Sequence, residues 1–306
     1  MHFHLGGYSN KLGDHMDLGF ISLLVCLLMP STPINTFISS SSNVAMAMSS
    51  NFSFDQESTS FMSTFNISIV PRSDQYDGTA AMVGSANTVW LIPDPTKSNV
   101  NDRSTGRIVF KEPITFFNTS GAIASFNTSF SFQIFTKDND SGEGMAFFIA
   151  QDKEFPDNSS GGYLGLSNDT FSDYTSFPGH NFFAVEFDIV QTLFLNDPSS
   201  NHVGININSM RSLATFDMSN STDLSLYQNS KFKTWIDFDG STGELKVWLV
   251  NSDAGSADRS KVTPILHNRI NPGVFNDTPM WVGITAMSAS RAQINDSGDA
   301  VYVWEF

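Results

Sequence analysis

The chain has 306 residues, with 31 Asp or Glu against 16 Lys or Arg, for a formal net charge of −15. So large an acidic excess, with no Lys/Arg cluster to offset it, argues against nucleic acid and anionic membrane surfaces as partners and leaves cation binding open. The single cysteine, Cys26, excludes a disulfide framework within the chain.

The first element is a leader. Leu18–Met29 is an apolar run shorter than the roughly 20 residues a bilayer span requires, and Pro30 ends it. Small residues of the A-x-A type follow at Ala45–Ala47. Residues 1–47 therefore read as a secretory signal cleaved between Ser31 and Met48, with an uncleaved anchor as the alternative. Lys11 is the only Lys or Arg before the apolar run, Asp14 and Asp17 oppose it, and Met16 is a second candidate start. N-x-S/T acceptors begin at Asn51, Asn66, Asn118, Asn127, Asn139, Asn158, Asn168, Asn220, Asn276 and Asn295. Such density fits an exported glycoprotein, secreted or displayed at a cell surface.

Residues 48–306 read as one all-β domain, an antiparallel β-sandwich or jelly roll. Phe126, Thr128, Phe130, Phe132 and Ile134 alternate with mostly polar neighbours, the period of a half-buried strand. Met145–Ala150 is a short buried run. Phe232–Phe238 and Glu244–Val250 flank Asp239–Gly243, a hairpin signature. Met280–Ala286 and Ala300–Phe306 complete the set. Ser219–Tyr227 forms a turn at most, and no long helical periodicity occurs. The 28 phenylalanines supply the large side chains that two packed sheets need between them. Asp138–Glu143 and Asp237–Glu244 imitate calcium loops but read as turns between strands. His180 and His267 fall near Pro- or Gly-containing loops and are expected on the surface.

The most informative stretch is Asn181–Met210. Read as a strand, it places Phe183, Val185, Phe187 and Ile189 on one purely apolar face, with Ala184, Glu186 and Asp188 on the other. Two acids on one face of so apolar a run stand either in water or against a cation, because a buried unpaired carboxylate costs several kcal/mol. No Lys or Arg lies between Lys153 and Arg211. The next loop supplies Asp197 and then His202, which opens a second alternating run. Hard carboxylate oxygens suit calcium, and Glu186 with His202 and shared carboxylates suits manganese.

VEFD, a loop, and then NHVGIN resemble the metal loop of legume-type (L-type) plant lectins, and the loop looks closest to the lectin domains of plant lectin receptor kinases. FSF at Phe52–Phe54 looks like the opening strand of that family. GRIVFKEPITFF at Gly106–Phe117, SFNTSFSFQIF, EGMAFFIA, GGYLGL at Gly161–Leu166, WVGITA and VYVWEF follow in the family's order. The resemblance implies a legume-lectin-like, concanavalin A-like sandwich that holds Ca2+ and Mn2+ side by side. Glu186, Asp188, Asp197 and His202 would be side-chain ligands, and Val190 would offer its carbonyl.

The same resemblance implies a shallow sugar site, from which this chain departs. The family's loop Asp is Glu143 here, its metal-loop Asn is Thr192, and its stacking aromatic is Val190. Only Gly162 fits, and Ser288 and Ala289 fall where the family's specificity loop lies. Threonine cannot present an amide carbonyl to calcium and an amide N–H to a sugar hydroxyl together. Partners would be glycans or glycoproteins, with a homodimer common in the family and a membrane involved only if the chain is part of a longer receptor. The alternative is a receptor-like ectodomain or partner-binding module with a degenerate sugar pocket. An enzyme is not expected. Related β-glucanases carry Glu-x-Asp-x-(x)-Glu, and the third carboxyl that retaining hydrolysis needs is Val190 or Gln191 here.

Overall fold

A strand whose alternate residues are apolar has one face to bury, and two such sheets laid face to face bury both. A computed structural model shows this arrangement. It describes residues 2–6, 21–23, 67–70, 82–83, 88–92, 105–117, 121–136, 142–168, 181–221, 223–226, 230–252, 257–275, 278–287 and 300–305. One sheet has seven strands, in the order β11 (Ala214–Asp217), β10 (His202–Ile207), β9 (Phe182–Asp188), β8 (Gly144–Ala150), β15 (Trp281–Met287), β6 (Thr105–Phe110) and β3 (Ile67–Ile69). The other runs β14 (Leu266–Arg269), β13 (Glu244–Asn251), β12 (Lys231–Asp239), β7 (Ser125–Thr136), β16 (Ala300–Glu305), β5 (Thr88–Trp90) and β4 (Met82–Val83). Two further strands join this second sheet: β1 (His2–Gly6) pairs with the first half of β7, and β2 (Ile21–Leu23) pairs with β1. All these pairings are antiparallel.

The expected sandwich is therefore observed, with strand ends moved by a residue at β15 and β16. The Asp239–Gly243 hairpin forms, closed by a Gly243 N–H donating to Asp239 O at 2.7 Å. The expected opening strand at Phe52–Phe54 lies outside the described residues. Edge strands β11 and β14 carry too few apolar residues to have shown in the alternation.

Phenylalanine fills the space between the sheets. Phe130 and Phe132 of β7 reach across to Phe147 of β8 and Phe187 of β9, with centroids 6.2 Å apart for Phe130–Phe147 and 4.7 Å for Phe132–Phe187. Phe126 sits among Phe116, Phe147, Phe183, Phe238 and Phe275, with centroids 5.4 to 6.5 Å away. Burying a ring of this size contributes roughly 1.5–3 kcal/mol.

The outer face of the seven-stranded sheet is also covered. Val109, Ala146, Phe148, Phe182 and Ala184 pack under Leu164, Leu166, Leu195 and Met210, which come from loops and bends. This second, smaller core lays two loops over the sheet: residues 151–166, and residues 189–201 between β9 and β10.

Phe126→Ala removes the ring that five others touch. The expected loss is about 3–5 kcal/mol, measured as a lower urea midpoint with unchanged slope.

Candidate functional site

β9 lies between β8 and β10, so its acids are flanked on both sides. Glu186 is opposite Gly204 and Ala146, and Asp188 is opposite His202 and Gly144. The small partners make room for the Glu186 carboxylate: a Cβ at Gly204 would overlap Glu186 Oε1 and Ser212 Oγ. Glu186 and Asp188 are each 2% exposed, which rules out the solvent-facing alternative. Phe183, Val185, Phe187 and Ile189 point the other way, into the main core, as their alternation requires.

After β9 the chain folds back on itself. The Thr192 N–H donates to Asp197 Oδ2 at 2.7 Å. Between them Leu193–Leu195 make a single 3-10 turn, closed by Asn196 in the left-handed conformation at φ 65°. The return brings His202 beside β9, so Glu186, Asp197 and His202 offer ligand atoms that all lie within 4.8 Å of one another. His202 Nε2 is 3.4 Å from Glu186 Oε1 and 3.9 Å from Asp197 Oδ1. His202 Nδ1 stands 2.8 Å from Ser199 O. A carbonyl can only accept, so Nδ1 carries a proton and Nε2 is left facing the two carboxylates. Nε2 is buried and makes no hydrogen bond of good geometry. A buried imidazole nitrogen set between two acids is a donor set that fits a divalent cation.

Burial and mutual repulsion show in the protonation of this cluster. Burial, then the charges of Glu186 and Asp197, hold the Asp188 carboxyl well above the usual carboxylate range, against a lowering bond from the Val190 N–H at 2.6 Å. Burial and the Glu186 charge push Asp197 up to about 6. For His202, burial pulls downward, but the carboxylates of Glu186 and Asp197 facing the ring outweigh it and raise the imidazole. Two full negative charges 4 Å apart repel by roughly 4 kcal/mol at an effective dielectric of 20.

The residues expected to meet a sugar collect beside this cluster. Glu143 is 1% exposed; its N–H donates to Met287 O and its carbonyl accepts from the Ile189 N–H, both at 3.1 Å, which sets it between the ends of β15 and β9. A Cβ at Gly161 would lie 3.7 Å from Glu143 Oε1. Gly162 abuts Thr192 so closely that a Cβ there would come 2.7 Å from Thr192 Oγ1. Val190 is half-buried at the start of the loop. Ser288 and Ala289 lie outside the described residues. Of the acceptor asparagines, Asn127, Asn158 and Asn220 are exposed and Asn168 is half-buried. Asn51, Asn66, Asn118, Asn139, Asn276 and Asn295 lie outside the described residues, as does His180; His267 is exposed as expected.

Sequence patterning missed several supporting groups. Glu186 accepts from Ser212 Oγ at 2.5 Å and from Asn206 Nδ2 at 2.9 Å. Asn206 was legible as lying on the polar face of the His202 strand, but Ser212 follows a bend and carries no periodic signal. Arg107 was visible only as part of a motif. It is 1% exposed, with its guanidinium 4.5 Å from the Phe148 ring centroid and 4.3 Å from that of Phe155. It donates to Lys153 O at 3.0 Å, to Glu154 O at 2.8 Å and to Gly165 O. Thr285, its cross-strand neighbour, donates from Oγ1 to Leu164 O at 3.0 Å. Together they anchor the turn that carries Gly162.

A two-sheet sandwich whose seven-stranded sheet ends in a buried acid–histidine loop is a lectin-type carbohydrate-binding fold. The legume lectin domain matches residues 63–306, and the chain belongs to that family. It is 32% identical over 201 residues to a probable L-type lectin-domain containing receptor kinase S.7 of Arabidopsis thaliana, covering 64% of this chain and 28% of that protein. It is 30% identical over 231 residues to a lectin of Leucomphalos mildbraedii, covering 74% and 86%. The chain thus spans less than a third of the receptor-kinase relative and most of the free-standing lectin. Among solved structures, the metal-free form of lectin I-B4 from Griffonia simplicifolia is 28% identical with a TM-score of 0.60, over 78% of this chain and 91% of that one. Peanut lectin with a 9mer peptide is 26% identical with a TM-score of 0.57, over 78% and 90%. Family and fold are those of non-enzymatic carbohydrate-binding proteins that typically hold metal ions. Among the described residues no helix is long and apolar enough to cross a membrane.

The raised carboxyl groups set a pH dependence. Asp197 has a folded pKa near 6 against about 3.9 unfolded, so protons favour the folded state and their contribution is lost as pH rises through about 6. Asp188 and His202, both raised, act in the same direction. Protein stripped of metal by a chelator should therefore melt higher at pH 5 than at pH 8. Added divalent cation should reverse the order, because protons then compete with the ion. A flat or opposite trend in the chelated protein would contradict the buried-cluster geometry.

Proposed function

We propose that this protein is an exported plant-type lectin that binds glycans through loops organised by Ca2+ and Mn2+. Glu186, Asp188, Asp197 and His202 supply the metal ligands, the Val190 carbonyl completes the calcium shell, and Thr192 stands where the family has an amide. Glycan contacts fall to Glu143, Gly162, Val190 and Thr192, with Ser288 and Ala289 beyond β15. Residues 1–47 act as the leader that exports the chain, so β1 and β2 belong to the uncleaved chain and leave the second sheet with the leader, and the exposed N-x-S/T asparagines carry glycans of the protein's own. The carrying observation is the burial of His202 Nε2 between Glu186 and Asp197, with ligand atoms of all three within 4.8 Å of one another. Likeness to receptor-kinase ectodomains supports the same site on a membrane-tethered protein equally well, and glycan binding is common to both settings.

Two departures shape the affinity. Thr192 loses the paired carbonyl and N–H of an amide, and Val190 loses a stacking ring. Simple monosaccharides should therefore bind weakly, with measurable affinity reserved for larger glycans.

Elemental analysis of purified protein should find calcium and a transition ion, and EDTA should abolish binding on a glycan array. Asp197→Asn keeps an oxygen acceptor for the Thr192 N–H but removes the charge. It should lower metal affinity by more than the roughly 10–100-fold typical of an outer-shell partner. Glycan binding that survives EDTA unchanged, or tight binding of free mannose or galactose, would refute this proposal.

A further inference from the structure

The residue in the family's stacking position is Val190, yet the same lip of the structure carries two rings elsewhere. Leu193 and Phe194 follow Thr192 directly and are 76% and 54% exposed. They are held in place. Leu195 N–H donates to Thr192 O at 2.9 Å, Asn196 N–H to Leu193 O at 3.1 Å, and Arg211 Nε to Phe194 O at 3.2 Å. Leu195, the next residue, is buried in the smaller core and pins the turn from below. Tyr163, one residue after Gly162, brings its ring to 6.1 Å from Phe194, with the planes tilted by 48°. Among the described residues four large apolar side chains are exposed. Leu193 and Phe194 are two of them, and a third, Leu213, stands two residues after Arg211. Scattered apolar side chains in water are ordinary, but a fixed group beside Gly162 and Thr192, where sugar contact is proposed, marks a binding surface.

We propose that Phe194, with Tyr163 beside it, is the stacking platform of the glycan site and replaces the ring missing at Val190. This rests on the carbohydrate-binding function proposed above. The occupant is a neutral pyranoside of a larger glycan. It lays its C–H face on Phe194 while its hydroxyls reach back towards the backbone of Gly162 and the Glu143 side. A sugar ring has an apolar face and a polar rim, and this lip presents a ring pair whose Tyr163 stands two residues after Gly161, the glycine that lies against Glu143 Oε1. The buried Glu143 carboxylate, which is no ligand of the proposed ions, disfavours an anionic sugar. Displacing the platform outward from Val190 to Phe194 shifts the contact from the monosaccharide nearest the metals to the next portion of the ligand.

The test compares metal-loaded wild type, Phe194→Ala, Tyr163→Ala and Phe194→Trp on an array of lactose, N-acetyllactosamine, chitobiose, oligomannose and sialyllactose probes. Phe194→Ala should weaken binding of the preferred neutral probe roughly tenfold, Tyr163→Ala less, and Phe194→Trp should retain it. Melting temperature and bound metal should be unchanged in Phe194→Ala and Phe194→Trp, since the Phe194 side chain is half in water; Tyr163 packs against the smaller core, so Tyr163→Ala should melt lower and is compared at a temperature where it is fully folded. In saturation-transfer NMR the ring protons of the preferred probe should be saturated from aromatic resonances in wild type and not in Phe194→Ala. If wild type binds neutral probes and Phe194→Ala binds them equally, the platform is wrong and the carbohydrate function stands. Preference for sialyllactose overturns the neutral class of occupant. If wild type binds none of the probes, the carbohydrate function fails and takes the platform with it.

Discussion

Carboxylates crowded at the end of β9 are the constraint on which the rest of the site depends. Glu186 and Asp188 are almost wholly buried, Asp197 is brought against them by the return of the loop, and Glu143 joins from the end of β8. In a low-dielectric setting these groups repel one another, and relief comes from protons or from cations. The raised carboxyls of Asp188 and Asp197 and the raised imidazole of His202 show the first form of relief, and the metal ions proposed above would supply the second. On that proposal the shape of residues 189–201 depends on metal, and the lip formed by Thr192, Leu193 and Phe194 inherits the dependence.

The opposite wall of the site is built without ions. Arg107 and Thr285, neighbours across β6 and β15, take up the carbonyls of residues 153, 154, 164 and 165 and so seat the turn that carries Gly162 and Tyr163. The guanidinium is planar, keeps its charge and stacks between Phe148 and Phe155. Lysine could not reproduce that combination of ring contacts and forked donors. The smaller core beneath both walls joins them mechanically, since Leu164 and Leu166 from one and Leu195 from the other share it.

Much of this was legible in the residues. The alternation of Phe183, Val185, Phe187 and Ile189 predicts the buried face of β9, and the period of two then forces Glu186 and Asp188 onto the other side. The spacing to Asp197 and His202 identifies the cluster, and six motifs in order identify the family. What was not legible has a common cause. Ser212 and Ser199 act through side-chain hydrogen bonds from loop positions without periodic signal, and Arg107 and Thr285, although inside family motifs, work on backbone carbonyls more than 40 residues away. Phe194 was passed over because hydrophobic patterning treats an apolar residue as core by default. Only exposure reveals that Leu195 points inward while Leu193 and Phe194 do not.

The anchoring of the 161–166 turn by Arg107 has a further effect. Its four hydrogen bonds come from side chains of β6 and β15 and need no ion. On the function proposed above, chelation would therefore loosen residues 189–201 while residues 161–166 stay seated on the sheet, so that the two sides of the site would differ in their dependence on metal.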